Sequence, residues 1–144
     1  MTVEAFLTAK NDLSELGRLN EFLTRFLAEN RLPENLALDT GVALEEVFAN
    51  VVMHGYNDRA THEILVRVAV ENGEVVLMVE DDGIAFNPLE APPADTSLPV
   101  EKRSVGGLGI HLVRSLMSEV EYARQNGRNR LEMRKQIPRG ERWS

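Results

Sequence analysis

Two Asn-Gly pairs, Asn72-Gly73 and Asn126-Gly127, constrain this chain more than any other feature of its sequence. Asn-Gly between two alternating runs is the strongest short-range signal for a type I′ turn, in which both central residues need positive φ. Ile64, Val66, Val68 and Val70 alternate with more polar positions before the first pair, and Val75, Leu77 and Val79 resume the alternation after it. Residues 120–125 and 128–135 flank the second pair in the same way. Two antiparallel hairpins follow, and any fold of this chain must accommodate both.

The remaining segments supply one more strand and the helices. Val3, Ala5 and Leu7 alternate with Glu4, Phe6 and Thr8, which predicts a short first strand. Asn11 or Asp12 can cap the next segment, where Leu13, Leu16, Leu19, Phe22, Leu23, Phe26 and Leu27 recur at helical spacing to about Arg31. Pro33 suits the first turn of a second helix, from about Glu34 to His54, closed by Gly55. From Ile84 to Val105 the chain contains Pro88, Pro92, Pro93 and Pro99, little apolar periodicity and more length than an ordinary connection, as lids or disordered loops do. A third helix fits Leu108 to Ser118. The order strand, two helices, hairpin, lid, helix, hairpin predicts an α+β fold. It is a two-layer α/β sandwich with a mixed, mostly antiparallel sheet covered on one face by three helices. Residues 1–137 read as a single domain and 138–144 as a loose tail.

At 144 residues the chain can bury a core without staples, and the lack of cysteine excludes disulfides and thiolate metal sites. No signal-peptide pattern or membrane-length apolar run is present, so a cytoplasmic protein without a membrane segment is expected. From Arg124 onward there are seven basic residues against two acidic ones, so the first 123 residues carry −12 within a total of −7. Such a basic end can mark a nucleic-acid partner. Here Arg128, Arg130 and Arg134 stand at strand spacing with Glu132 among them, which reads as a solvated strand face rather than a direct nucleic-acid contact.

Three short patterns could carry chemistry. Glu46, Asn50 and His54 are spaced i, i+4, i+8 on the second helix and make a polar stripe on an otherwise apolar segment. An amide oxygen and a carboxylate on one face can serve a hydrated Mg²⁺ and a proton-losing nucleophile. Taken alone, a solvated helix face is the simpler reading. Asp81 shares the parity of Val75, Leu77 and Val79, so it points toward the helices, where a carboxylate is costly without a partner. A turn at Asp82-Gly83 explains it, and so does a buried acceptor for an amino group, with Gly83 letting the backbone come close. Gly106-Gly107-Leu108-Gly109 directly precedes an apolar helix, where free N–H groups and the helix dipole favour phosphate. A flexible hinge explains these glycines equally well. The loop is neither a Walker A sequence nor a dinucleotide fingerprint. His54, His62 and His111 lack metal-ligand spacing, and no Gly-x-Ser-x-Gly elbow is present, which argues against zinc and covalent hydrolase chemistry.

In order and together, Glu46-x-x-x-Asn50, Asp81-x-Gly83 and Gly106-x-x-Gly109 resemble the N, G1 and G2 boxes of the GHKL ATPase superfamily, the Bergerat fold. The stretch from Glu45 to Tyr56 is similar to the N box of the anti-sigma factor serine kinases of the RsbW and SpoIIAB type, and the likeness runs from about Phe6 to Lys135. The resemblance implies ATP and Mg²⁺ as cofactors. It implies Asn50 on the metal, Glu46 as base or orienter of the attacking hydroxyl, and Asp81 on the adenine amino group. Gly83 would line the adenine pocket, and Gly106, Gly107, Leu108 and Gly109 would wrap the phosphates. Arg103 in the lid would contact the γ-phosphate. Three features depart from the pattern: Ala85 stands where a second glycine is frequent and could narrow the rim of the pocket, Asn129 is the only polar stand-in for an adenine-side threonine, and the lid is rich in proline. Gyrase and MutL relatives need a further domain, and histidine kinases need a phosphoacceptor helix pair. The resemblance therefore implies a free-standing, homodimeric serine kinase whose partners are a sigma factor and a STAS-type anti-anti-sigma protein.

Overall fold

Both Asn-Gly pairs form the turns that their sequence demands. In the computed structural model, which describes residues 2–90 and 105–138, Asn72 and Gly73 have φ of 52° and 74°, and Asn126 and Gly127 have 53° and 75°. The first turn joins β2 (Glu63–Glu71) to β3 (Glu74–Asp81), and the second joins β4 (Glu119–Gln125) to β5 (Arg128–Gln136). With β1 (Val3–Lys10) they form one sheet of order β1-β2-β3-β5-β4. All four pairings are antiparallel, the limiting case of the mostly antiparallel sheet expected.

Register places one apolar layer on one face. Val66 pairs with Val79 and Val79 with Leu131, while Val68 pairs with Leu77 and Leu77 with Met133. Three helices cover this layer: α1 (Leu16–Glu29), α2 (Glu34–His54) and α3 (Val105–Leu116). Leu19, Leu23 and Phe26 of α1, Leu44, Val47 and Phe48 of α2, and Ile110 and Val113 of α3 are all buried against it. Removing that apolar area from water, at about 25 cal/mol per Å², is what holds the two layers together.

Helix ends follow from local chemistry. Asp12 caps by accepting from the Ser14 N–H at 2.9 Å, but a 3-10 turn (Leu13–Glu15) intervenes before α1 starts. Asn11 is not a cap, since its Oδ1 accepts from the His62 N–H instead. After Glu29 the chain closes with the paired bonds of a Schellman motif, Arg31 N to Ala28 O at 3.1 Å and Leu32 N to Leu27 O at 3.0 Å. Pro33 is the N-cap of α2 rather than its first helical residue, and Gly55 ends α2 as expected. The boundaries of α3 differ from the sequence expectation: it starts at Val105 and ends at Leu116, so Gly106 and Gly107 lie in its first turn instead of a preceding loop. Glycine costs about 1 kcal/mol per residue in a helix, which makes it a stop signal in sequence although it does not prohibit the conformation.

Among the described residues, the other face of the sheet bears no helix. Val76, Met78 and Ala69 are nevertheless buried there, beneath long side chains. Arg67 bonds Glu4 and Glu71, Arg134 bonds Glu132 at 3.0 Å and lies 3.6 Å from both Glu71 and Glu74, and Arg130 bonds Glu80 at 2.9 Å. Arg128, Arg130 and Arg134 thus make a strand face neutralised by its neighbours.

Candidate functional site

Asp81, the last residue of β3, keeps the parity of its strand and turns its carboxylate toward α2, with 4% of its surface exposed. Its Oδ1 accepts from the Gly83 N–H at 2.8 Å and from Asn129 Nδ2 at 3.0 Å. Burial pushes the carboxyl above its ordinary value, opposed by those two hydrogen bonds; Asp82 pushes it further up and Arg124 pulls it down. Gly83 is required by close approach: a Cβ there would lie 2.2 Å from the Gly55 carbonyl oxygen. That same oxygen accepts from the Ile84 N–H at 2.8 Å, so the turn after β3 is fastened to the end of α2.

Between this turn, α2 and the sheet lies a cleft. Val47 and Val51 of α2, Val79 and Leu131 of the sheet, and Ile84 and Phe86 beyond the turn make its apolar wall. Asp81, Asn50, Asn129 and Tyr122 supply the polar groups. A flat apolar ring with a hydrogen-bond donor on its edge matches such a cleft. Ala85 is exposed and lies outside the wall of the cleft.

Above the cleft, Glu46 and Asn50 of α2 meet the first turns of α3. A Cβ added to Gly109 would stand 2.7 Å from Glu46 Oε2 and 3.7 Å from Asn50 Nδ2. Asn50 is 6% exposed, and its buried Nδ2 has no hydrogen-bond partner among the described residues. An unpaired buried polar group costs about 1–3 kcal/mol, a cost usually retained where a ligand completes the bonding. The amide can equally present its oxygen to a cation. No cluster of three or more His, Cys, Asp or Glu stands ready for a metal among the described residues.

Of the residues singled out from sequence, Glu46, Asn50, Asp81, Gly83 and Gly109 come together around the cleft and its rim. His54 is exposed at the far end of the stripe and leaves the group. Gly106, Gly107 and Leu108 lie on the first turn of α3, and Arg103 lies outside the described residues. The sequence reading did not single out Tyr122, although its parity with Val120 on β4 carries the signal. It also passed over Tyr56, which stacks on His62 with ring centres 4.1 Å apart and donates to Asp82 at 3.1 Å. His62 Nε2 lies 2.9 Å from Asp58, away from any metal cluster.

A helix-covered antiparallel sheet with a carboxylate-floored cleft opening toward a polar helix stripe defines a class of nucleotide-handling domain. The chain belongs to the family of histidine kinase-like ATPase domains, whose profile it matches over residues 9–135. It is 33% identical over 93 residues to the serine-protein kinase RsbW of Oceanobacillus iheyensis, a match covering 62% of this chain and 59% of that protein. It is equally identical over the same length to the serine-protein kinase RsbW of Bacillus velezensis, covering 58% of it. The chain thus spans less than two thirds of these relatives. Among solved structures, that of the RsbU and RsbW domains of Rv1364c from Mycobacterium tuberculosis superposes with a TM-score of 0.70 at 19% identity, covering 99% of this chain and 34% of that one. The blue-light activated histidine kinase EL346 of Erythrobacter litoralis gives 0.58 at 20% identity, covering 86% and 41%. These two likenesses concern the fold.

Proposed function

We propose that the chain is an ATP- and Mg²⁺-dependent protein serine kinase that switches between two partners, phosphorylating a STAS-type anti-anti-sigma protein and sequestering a sigma factor. The observation that carries this reading is the convergence of Glu46, Asn50 and Gly109 at one end of a cleft whose other end is floored by Asp81. Asp81 accepts the adenine amino group, and Gly83 keeps the adenine pocket open. Gly106, Gly107, Leu108 and Gly109 offer backbone N–H groups to the phosphates. Asn50 would hold Mg²⁺, which supplies charge neutralisation on the phosphates when bound. Glu46 orients the substrate serine and takes its proton as the serine oxygen bonds to the γ-phosphorus and the bond to the β,γ-bridging oxygen breaks, releasing ADP. Arg103 in the lid is assigned to the γ-phosphate. Most of the acceleration in such a site is positioning and electrostatics.

The reading includes a cytoplasmic homodimer with no direct nucleic-acid contact. Pairing of Arg128, Arg130 and Arg134 with carboxylates of the sheet supports the last point. The test is transfer of label from γ-labelled ATP, with Mg²⁺, to the serine of a cognate STAS protein. Glu46→Gln should bind ATP within about threefold of the wild type and lose at least about 100-fold in transfer rate, the contribution typical of a general base. Normal transfer by that variant removes Glu46 from the mechanism. ATP-dependent partner binding without label would make the chain a nucleotide-gated binding module instead.

A further inference from the structure

Asn129 has no spare bonding capacity. Its Nδ2 donates to Asp81 Oδ1 at 3.0 Å and to the Ile84 carbonyl at 2.8 Å, while its Oδ1 accepts from the Tyr122 hydroxyl and from the Phe86 N–H at 3.4 Å. A carboxamide has two donors and two lone pairs, and all four are engaged. Its orientation is fixed by the partners: a carboxylate and a carbonyl cannot donate, and a backbone N–H cannot accept. A saturated amide with 6% exposure offers a ligand nothing directly. What it does is act on its neighbours. Asp81 Oδ1 is fully used by Gly83 and Asn129, leaving Oδ2 without a hydrogen-bond partner among the described residues. Ile84 and Phe86, which form the outer wall of the cleft, are held by the same amide.

We infer that Tyr122 and Asn129 are positioning residues that lock Asp81 as a one-sided acceptor, and that this lock sets the preference of the cleft for a purine bearing an exocyclic amino group. The inference rests on the reading of the cleft as an ATP site. The chain of bonds runs from the Tyr122 hydroxyl to Asn129 Oδ1, and from Asn129 Nδ2 to Asp81, across three strands of the sheet. Asp81 and Asn129 face one another in the β3–β5 ladder, so the lock is built on paired strands rather than on a loop. Without it, the carboxylate can rotate about its side-chain bonds, and a rotating acceptor discriminates poorly between bases.

The test compares ATP with purine riboside 5′-triphosphate, which lacks only the 6-amino group, by calorimetric titration in Mg²⁺. The wild type should prefer ATP about 10- to 100-fold, the range for one charge-assisted hydrogen bond. Tyr122→Phe, which leaves Asn129 bonded to Ile84 and Phe86, should weaken ATP and keep the analogue within about threefold, collapsing the ratio, whereas Asn129→Leu also releases the outer wall and should weaken both nucleotides, ATP the more. Asn129→Thr, whose hydroxyl can again donate to Asp81, should restore part of it. Tyr122→Phe keeps the shape of the wall and reads the ratio even if Asn129→Leu does not fold. Equal weakening of both nucleotides in these variants makes Asn129 a merely structural residue and overturns the inference while the ATP site stands. A wild type that binds neither nucleotide overturns the ATP reading and the inference with it.

Discussion

At the scale of single residues, Asp81 is a buried carboxylate that costs the fold stability. Its folded-state carboxyl is held above the ordinary 3.8, so the native protein binds that proton more tightly than the unfolded chain does. By linkage, the resulting penalty is absent below the unfolded value, grows as pH rises from there to the folded value, and then levels off. Asp81→Asn keeps an oxygen to accept from Gly83 and Asn129 but carries no charge. We expect its stability to match the wild type at about pH 3 and to exceed it at pH 7, as read by urea unfolding at both values. Its affinity for ATP should fall on the order of 10- to 100-fold. A variant that is less stable at neutral pH would show that the charge itself is well solvated in the folded protein.

At the scale of elements, the approach of α3 to α2 brings Gly109 against Glu46 and Asn50, the proposed phosphate and catalytic groups. Gly109→Ala would place a methyl group 2.7 Å from Glu46 Oε2. Because the atom met is the free end of a flexible side chain, the fold should survive and the carboxylate should move. The expected result is a fall in kcat of about tenfold or more with KM for ATP changed less than threefold, the signature of an interaction lost in the transition state. Equal changes in both parameters would instead mean that the helix itself has shifted.

Elements were legible in the sequence wherever their signals are local. Both hairpins rest on adjacent Asn-Gly residues, and α2 was bounded correctly by Pro33 and Gly55. The start of α3 was not, because glycine signals a helix break whether or not the chain takes one. In the site, the inward placement of Asp81 could be read from strand parity, but parity left a simple turn and a buried acceptor equally open. Asn129 could be placed but not given its task, since its partners lie 45 and 48 residues away at Ile84 and Asp81, and that separation is closed only by the β3–β5 register. Tyr122 belongs to no motif at all, and its contribution exists only once β4 lies beside β5.

On the scale of the whole molecule, the two faces of the sheet obey different physics. One is closed by helices and depends on apolar burial; the other is covered by crossed arginine and glutamate side chains. Arg134 bridges Glu71, Glu74 and Glu132 while its stem lies on the strand opposite Val76. Arg134→Met preserves much of that cover and removes the charge from among three carboxylates. We expect a loss of about 1 kcal/mol in unfolding free energy at low ionic strength, shrinking in 1 M salt, where charges are screened within about 3 Å. A salt-independent loss would assign the effect to packing.

The chain has only two tyrosines, and both hydroxyls lie within one or two hydrogen bonds of the same turn. One donates to Asp82, and the other to the amide that holds Asp81. Uniform incorporation of fluorotyrosine therefore yields two resonances and no others, each reporting one flank of the Asp81-Asp82-Gly83 turn. The two positions are placed by the fold itself, so occupancy of the cleft can be followed in solution without introducing a tyrosine anywhere else in the chain.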